Sequence, residues 1–323
     1  MTEPWHTPIP AHPWIEEGAT RVRFGVVSPP DDWPAARDWV QLVEGLGFDS
    51  CWTFDHPARV QDGWTRLATL ATVTRRVRLG VLVSCVYYRS PVLLARLAAD
   101  VDRDSGGRLV LGLGIGWDPA EFAELGIPFP RVPERQRALA DTVEIVRGLW
   151  SGERFHFASP RYRIDGLALA CPPIQRPRVP LLIGGGGAAT LRQVARYADV
   201  ANFGASDPTG QVVGVEAARA RFAILRQHCQ DIGRPSESVL RSYYTIPVVG
   251  RTPEAARALA DAYPTFMVQH ARAAMVVGTP DQVIPVYQQL IDAGAQYFIA
   301  AWQNNPTSLR LLAEEVVPRL RPA

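Results

Sequence analysis

The chain has 323 residues, 47% of them hydrophobic and 20% charged, with a formal net charge of +2. That composition buries a sizeable core and excludes wholesale disorder, and a balance so near neutral excludes charge-driven binding to nucleic acid. All 34 lysine-or-arginine positions are arginine, which removes the lysine of phosphate loops and every Schiff-base mechanism and leaves guanidinium and backbone N–H groups to hold anions.

Residues 1–20 carry Pro4, Pro8, Pro10 and Pro13 with Trp5 and Trp14, show no clean period, and are expected as an extended arm on the body. From residue 21 onward, apolar β-branched runs alternate with helical spacing. Val22–Val27 predicts a strand, Trp33–Leu46 a helix ending at Gly47, and Asp49–Phe54 a second strand, which together make one βαβ unit. The alternation continues through helix Gly63–Thr72, strand Val77–Val83, helix Val92–Asp102, strand Arg108–Leu113 and helix Pro133–Trp150. Residues 152–179, rich in aromatics and proline, break the rhythm as an inserted hairpin and loop. It resumes with strand Pro180–Ile183, helix Ala188–Tyr197, strand Asp199–Phe203, helix Gly214–Gln230, strand Val239–Val249 and helix Glu254–Ala260. Helix Asp281–Ala293, strand Gln296–Ala300 and helix Thr307–Leu320 close the chain, while Tyr263–Val276 is either a lid over a substrate or an extra helix.

Eight strands, each followed by helix, predict an α/β fold of the (β/α)8 TIM barrel type with insertions after strands 4 and 7, formed by residues 21–323 as one domain; a doubly wound open sheet is the competitor. In such a barrel the C-terminal ends of the strands carry the site. Cys51, Cys85, Cys171 and Cys229 lack the close spacing of metal ligands and sit in apolar contexts, so buried free thiols and no metal are expected. No basic-then-apolar leader and no apolar run of about 18 residues is present, so no membrane contact and a cytoplasmic location are expected.

Two glycine-rich stretches carry the most chemistry: Gly107–Trp117 and Leu182–Asp199. Each runs from an apolar strand through glycines into a helical pattern, which places backbone N–H groups at a helix N-terminus where a phosphate can sit. Four consecutive glycines, Gly184, Gly185, Gly186 and Gly187, cost folding entropy unless something approaches the backbone closely. Asp55 and His56 end the second strand, where a neutral imidazole can exchange a proton with a substrate; a capping or packing pair is the plainer alternative.

The motifs Trp52-Thr-Phe-Asp-His56, Tyr88-Arg-Ser-Pro91, Ser105-Gly-Gly-Arg108, Gly112-Leu-Gly-Ile-Gly-Trp117 with Glu121, and Ile183–Gly187 followed by Thr190-Leu-Arg192 and Arg196-Tyr-Ala-Asp199 recur in order at strand ends. Through them the chain resembles the luciferase-like superfamily of flavin and deazaflavin oxidoreductases from about Arg23 to Trp302, and most of all its branch that uses coenzyme F420. The resemblance implies hydride transfer between the deazaflavin C5 and a small organic substrate, with His56 as the proton-exchanging group and Asp55 in contact with the cofactor ring or orienting His56. It implies a bulge at Leu82, Val83, Ser84 and Cys85 behind the ring, with a non-proline cis bond at Leu82–Val83, and a phosphate held by Gly184–Gly187. Arg89 is a candidate for the anionic tail or a structural pair, ahead of Arg192 and Arg196. Phe54, Trp117, Glu121 and Trp302 are the pocket candidates. In sugar-phosphate dehydrogenases of this branch an acidic glutamate stands where this chain has Trp117, and their phosphate-holding lysines are missing here, so the resemblance does not extend to glucose 6-phosphate. Two rivals remain: a monooxygenase using reduced FMN and oxygen, and a flavin-binding protein without turnover. The resemblance also implies a homodimer, for which the helices near Trp64–Leu70 and Val92–Ala99 are candidate faces.

Overall fold

In the computed structural model, residues 9–18, 20–27, 32–204, 214–263, 272–301 and 305–323 are described. Strands and helices alternate along them as α1 (Pro13–Gly18), β1 (Arg23–Val27), α2 (Trp33–Gly45), β2 (Ser50–Thr53), α3 (Gly63–Val73), β3 (Arg78–Val81), β4 (Ser84–Cys85), α4 (Pro91–Asp104), β5 (Leu109–Gly114), α5 (Pro119–Glu124) and α6 (Val132–Trp150). There follow β6 (Phe155–Ala158), β7 (Arg163–Leu167), β8 (Leu181–Gly184), α7 (Ala188–Tyr197), β9 (Val200–Gly204), α8 (Val215–Asp231), β10 (Leu240–Val249), α9 (Pro253–Asp261), β11 (Met275–Gly278), α10 (Pro280–Asp292), β12 (Tyr297–Ala300) and α11 (Pro306–Leu311). Eight strands, β1, β2, β3, β5, β8, β9, β10 and β12, each lead on to helix, the (β/α)8 order expected.

The chain divides into two compact halves, Trp52–Gly184 on one side and Met1–Cys51 with Gly185–Ala323 on the other. Within the first, β3 pairs with β5 (Leu79↔Leu109), β4 with β5 (Ser84↔Leu113) and β5 with β8 (Leu111↔Leu181), all parallel. Every residue of β5 is buried, the near-continuous apolar run that a parallel strand covered on both faces requires. Antiparallel β6 and β7 form the insertion expected after the fourth barrel strand. Asp62 starts α3 by accepting the Thr65 N–H at 2.8 Å. Within the second half, β12 pairs with β1 (Arg23↔Tyr297) and β10 (Ser242↔Tyr297), and β10 also pairs with β9 (Leu240↔Val200), again all parallel.

Three expectations change. The arm is not wholly extended: Pro13–Gly18 is helical, with Trp14 buried at 1% exposure and its indole Nε1–H donating to Asp49 at 3.0 Å. Arg23 locks the same corner, Nη1 donating to Asp49 at 2.9 Å and Nη2 to the Trp14 carbonyl at 2.7 Å, so a buried cation paired with a carboxylate draws the short helix in. Of the segment Tyr263–Val276 expected as a lid or an extra helix, residues 264–271 lie outside the described residues; its end runs into a strand, Met275–Gly278, which adds to β10 in parallel (Ile246↔Met275). The closing helix is also shorter than expected, because α11 opens into a π turn at Leu312–Val316 and tightens to 3-10 at Val317–Arg319, which contains Pro318. No described helix is long and apolar enough to cross a membrane.

Candidate active site

The segment after β2 carries Phe54, Asp55 and His56, whose ring centroid lies 6.4 Å from that of Phe54. Asp55 and His56 are neighbours with separate partners. The Asp55 carboxylate, 2% exposed, receives Arg89 Nη1–H on both oxygens at 2.8 and 2.7 Å and the Ser84 hydroxyl at 2.8 Å. Trp64 Nε1–H in turn donates to Ser84 at 3.1 Å, and the second Arg89 nitrogen pairs with Asp62. Burial pushes the Asp62 carboxyl up, but the Thr65 N–H and the Arg89 charge outweigh that and hold it below the usual carboxylate range. Arg89 is thus shared between two carboxylates, the structural pairing of its two expected roles.

His56 is held from elsewhere. Its Nδ1 lies 2.7 Å from Glu121 Oε2, and the same oxygen accepts the Tyr88 hydroxyl at 2.9 Å while Glu121 Oε1 accepts the Ala58 N–H at 3.3 Å. The expected bond between Asp55 and His56 is not formed: His56 Nδ1 meets Glu121 on α5, while Arg89 and Ser84 occupy the Asp55 carboxylate. Glu121 was expected in a substrate pocket, yet its side chain has no exposed surface, whereas that of His56 is 28% exposed. Burial, then the hydrogen bond to Glu121, raises the Tyr88 phenol above its ordinary range. Trp117, half exposed, meets the His56 ring edge-on at 5.9 Å between centroids. Trp302 lies outside the described residues. Sequence reasoning offers Tyr88 as one of several aromatic residues that could line the pocket and misses its bond to Glu121; its place in Tyr88-Arg-Ser-Pro91, directly before α4, was the available signal.

The bulge is present, and the Leu82–Val83 bond is cis. Val83 explains the first glycine stretch. A Cβ on Gly114 would lie 2.4 Å from Val83 Cγ2, one on Gly184 3.0 Å from Cγ1, and one on Gly112 2.0 Å from the Val81 carbonyl oxygen. Gly116, at φ 77°, lies under the Phe122 ring and Cys85 Sγ. These glycines make room for packing, and the helix they lead to is six residues long with its N-terminus already capped by Asp118, which accepts the Ala120 N–H at 2.9 Å. The expectation of an anion site on Gly107–Trp117 is thereby overturned. Buried at this seam, the Cys85 thiol is pushed up to about 12.

The second stretch differs. Gly185 takes φ 127° and donates its N–H to the Asn202 carbonyl at 2.8 Å. Gly187 is the N-cap of α7 at φ −70° and ψ 147°, without a side-chain cap, and nothing lies within 4 Å of where its Cβ would be. The Arg221 side chain lies against Gly186, its Nε 2.6 Å from an added Cβ. Open backbone at the start of a ten-residue helix, with a guanidinium beside it, is a donor set suited to an anionic phosphate.

Residues 9–274 match the luciferase-like monooxygenase family. The chain is 27% identical over 341 residues to the 5,10-methylenetetrahydromethanopterin reductase of Archaeoglobus fulgidus, covering 93% of this chain and 100% of that protein. To the F420-dependent hydroxymycolic acid dehydrogenase of Mycobacterium tuberculosis it is 28% identical over 310 residues, covering 87% and 83%. Among solved structures, the coenzyme F420-dependent tetrahydromethanopterin reductase of Methanopyrus kandleri matches with a TM-score of 0.80 at 20% identity, over 94% of this chain and 100% of that one. That likeness shows the fold, the (β/α)8 barrel. With most of its length inside the matched region, the chain belongs to the luciferase-like monooxygenase family.

Proposed function

We propose that the protein is an F420-dependent oxidoreductase that moves a hydride between the deazaflavin and a small, largely apolar organic substrate, an alcohol or carbonyl, an imine or an activated alkene. The observation that carries this reading is His56, part exposed, gripped at Nδ1 by a buried carboxylate and flanked by the half-exposed Trp117. Two relatives that span most of the chain support the cofactor, one of them F420-dependent by name and the other a reductase. The start of α7 fits a phosphate handle, which Gly186 and Gly187 would hold through backbone N–H groups with Arg221 alongside.

When bound, a deazaflavin gives or takes hydride at C5 and, having carbon where a flavin has N5, reacts poorly with oxygen. The chain's own part is to move the proton. His56 Nε2 takes a proton from a substrate hydroxyl on oxidation or returns it on reduction, and Trp117 with Phe54 supplies apolar walls that favour an uncharged substrate. With no lysine in the chain, a sugar phosphate finds none of the ammonium groups that would suit it. A homodimer belongs to the same reading; Leu93 and Leu97 stand exposed one turn apart on α4, an apolar pair for a second copy to cover.

Titration of tryptophan fluorescence with F420 and, separately, with FMN tests the reading. Tight F420 binding with negligible FMN affinity is expected. Tight FMN binding together with oxygen uptake by the reduced complex would establish a flavin monooxygenase instead, and binding of either without turnover of any substrate a carrier protein.

A further inference from the structure

Glu121 stands 65 residues from His56 in sequence and is wholly enclosed, with no exposed side-chain surface. Its hydrogen-bond partners among the described residues are His56 Nδ1, the Tyr88 hydroxyl and the Ala58 N–H, none of them an arginine. The Tyr88 hydroxyl donates to Oε2 and the Ala58 N–H to Oε1, so Glu121 is an acceptor on both of its oxygens. A further bond to that acceptor at 2.7 Å forms when Nδ1 of His56 carries the proton and donates it. In a neutral imidazole the other nitrogen then holds the lone pair. In water a free imidazole side chain prefers the opposite arrangement, with the proton on Nε2, so the protein must impose this one.

We infer that Glu121, itself steadied by Tyr88, is the positioning residue of His56: it fixes the Nδ1–H tautomer and turns Nε2 into the nitrogen that meets the substrate. The inference rests on His56 being the proton-exchanging group of the proposed function. Glu121 does not touch substrate, because both its oxygens are occupied and neither side of the carboxylate is exposed. Tyr88 holds the carboxylate from a separate segment, so the grip does not depend on α5 alone. The same arrangement, a carboxylate or carbonyl holding one imidazole nitrogen so that the other can work, sets tautomers generally in proton-transfer sites.

The test is nitrogen-15 NMR of histidine-labelled, cofactor-free protein, with the His56 signals assigned by their loss in His56→Asn. In the wild type, Nδ1 should carry a proton across the neutral and mildly alkaline range. In Glu121→Gln, whose amide oxygen still accepts, the proton should stay on Nδ1. In the double variant Glu121→Met with Tyr88→Phe, which replaces both polar side chains by apolar groups of similar size and leaves only the N–H of the exposed Ala58 to turn to water, it should move to Nε2. The double variant should also lose about tenfold or more in kcat at unchanged affinity for cofactor. A wild-type ring protonated on Nε2, or a folded double variant that keeps the Nδ1 proton or keeps the wild-type kcat, overturns the inference, and the wild-type spectrum alone decides it should the double variant fail to fold. If the proton moves as expected and no F420-linked turnover exists in any form of the protein, the positioning stands and the proposed function falls.

Discussion

At residue scale the site separates two neighbours that sequence reasoning treats as a pair. Asp55 is spoken for by Arg89 and Ser84, and it acts as the anchor of a charged cluster that also holds Asp62. His56 has its second nitrogen available and a partly exposed ring. Replacing His56 with alanine should lower turnover by roughly 10²–10⁴-fold, the usual worth of a positioned acid or base, with the F420 fluorescence titration unchanged. Full activity in that variant would remove His56 from the mechanism. Reactivity is the opposite story at Cys85, which is buried at 4% exposure with its thiol pushed up to about 12, so almost no thiolate exists at neutral pH. Iodoacetamide should leave Cys85 unmodified in the folded protein, as read by peptide mass spectrometry, and modify it only after unfolding.

At the scale of elements, the two glycine stretches look alike in sequence and do different things. Gly112 sits inside β5 and Gly114 ends it, where the Val81 carbonyl and the Val83 side chain occupy the space of a side chain. Gly112→Ala puts a methyl group 2.0 Å from a backbone oxygen that no rotamer can move aside, and should cost about 1–3 kcal/mol or more, seen as a lower urea midpoint. Gly187 is open and heads a helix with no side-chain cap. Gly187→Asp supplies that cap and a negative charge at the positive end of α7, so cofactor-free protein should gain about 0.3–1 kcal/mol. The same carboxylate sits where a phosphate would, so F420 affinity should fall; a variant that binds F420 as the wild type does would move the phosphate site off α7. The strand and helix alternation was legible because buried parallel strands such as Leu109–Gly114 are continuous apolar runs and the helices open on Pro or Asp. What a glycine makes room for was not, since the filler of Gly114 and Gly184, Val83, lies on a bulge whose backbone the sequence does not encode as a pattern. Nor was the Glu121–His56 contact, which depends on where a six-residue helix brings its third residue.

Over the whole molecule, the absence of lysine joins with the burial of thiols and phenols to fix how stability responds to alkali. Burial raises the thiols of Cys85 and Cys229 and the phenols of Tyr88, Tyr243, Tyr244, Tyr263, Tyr287 and Tyr297 above their ordinary values of 9.0 and 10.0. Below about pH 8 these groups are protonated whether the chain is folded or not, so they contribute little to the pH dependence there. As pH rises from about 8 toward 12 the unfolded chain releases their protons while the folded chain keeps them, so the folded state binds more protons and the free energy of unfolding falls. In most proteins lysines lose their charge over the same range and blur this effect. Here every lysine-or-arginine position is arginine, and arginine stays charged throughout the window, so the loss of stability reports buried thiols and phenols. Urea midpoints should be level from about pH 7 to 8 and then fall steadily to about pH 11. A midpoint unchanged at about pH 11 would mean that these groups ionise as readily in the folded protein as in the unfolded chain, and that the core around them admits water.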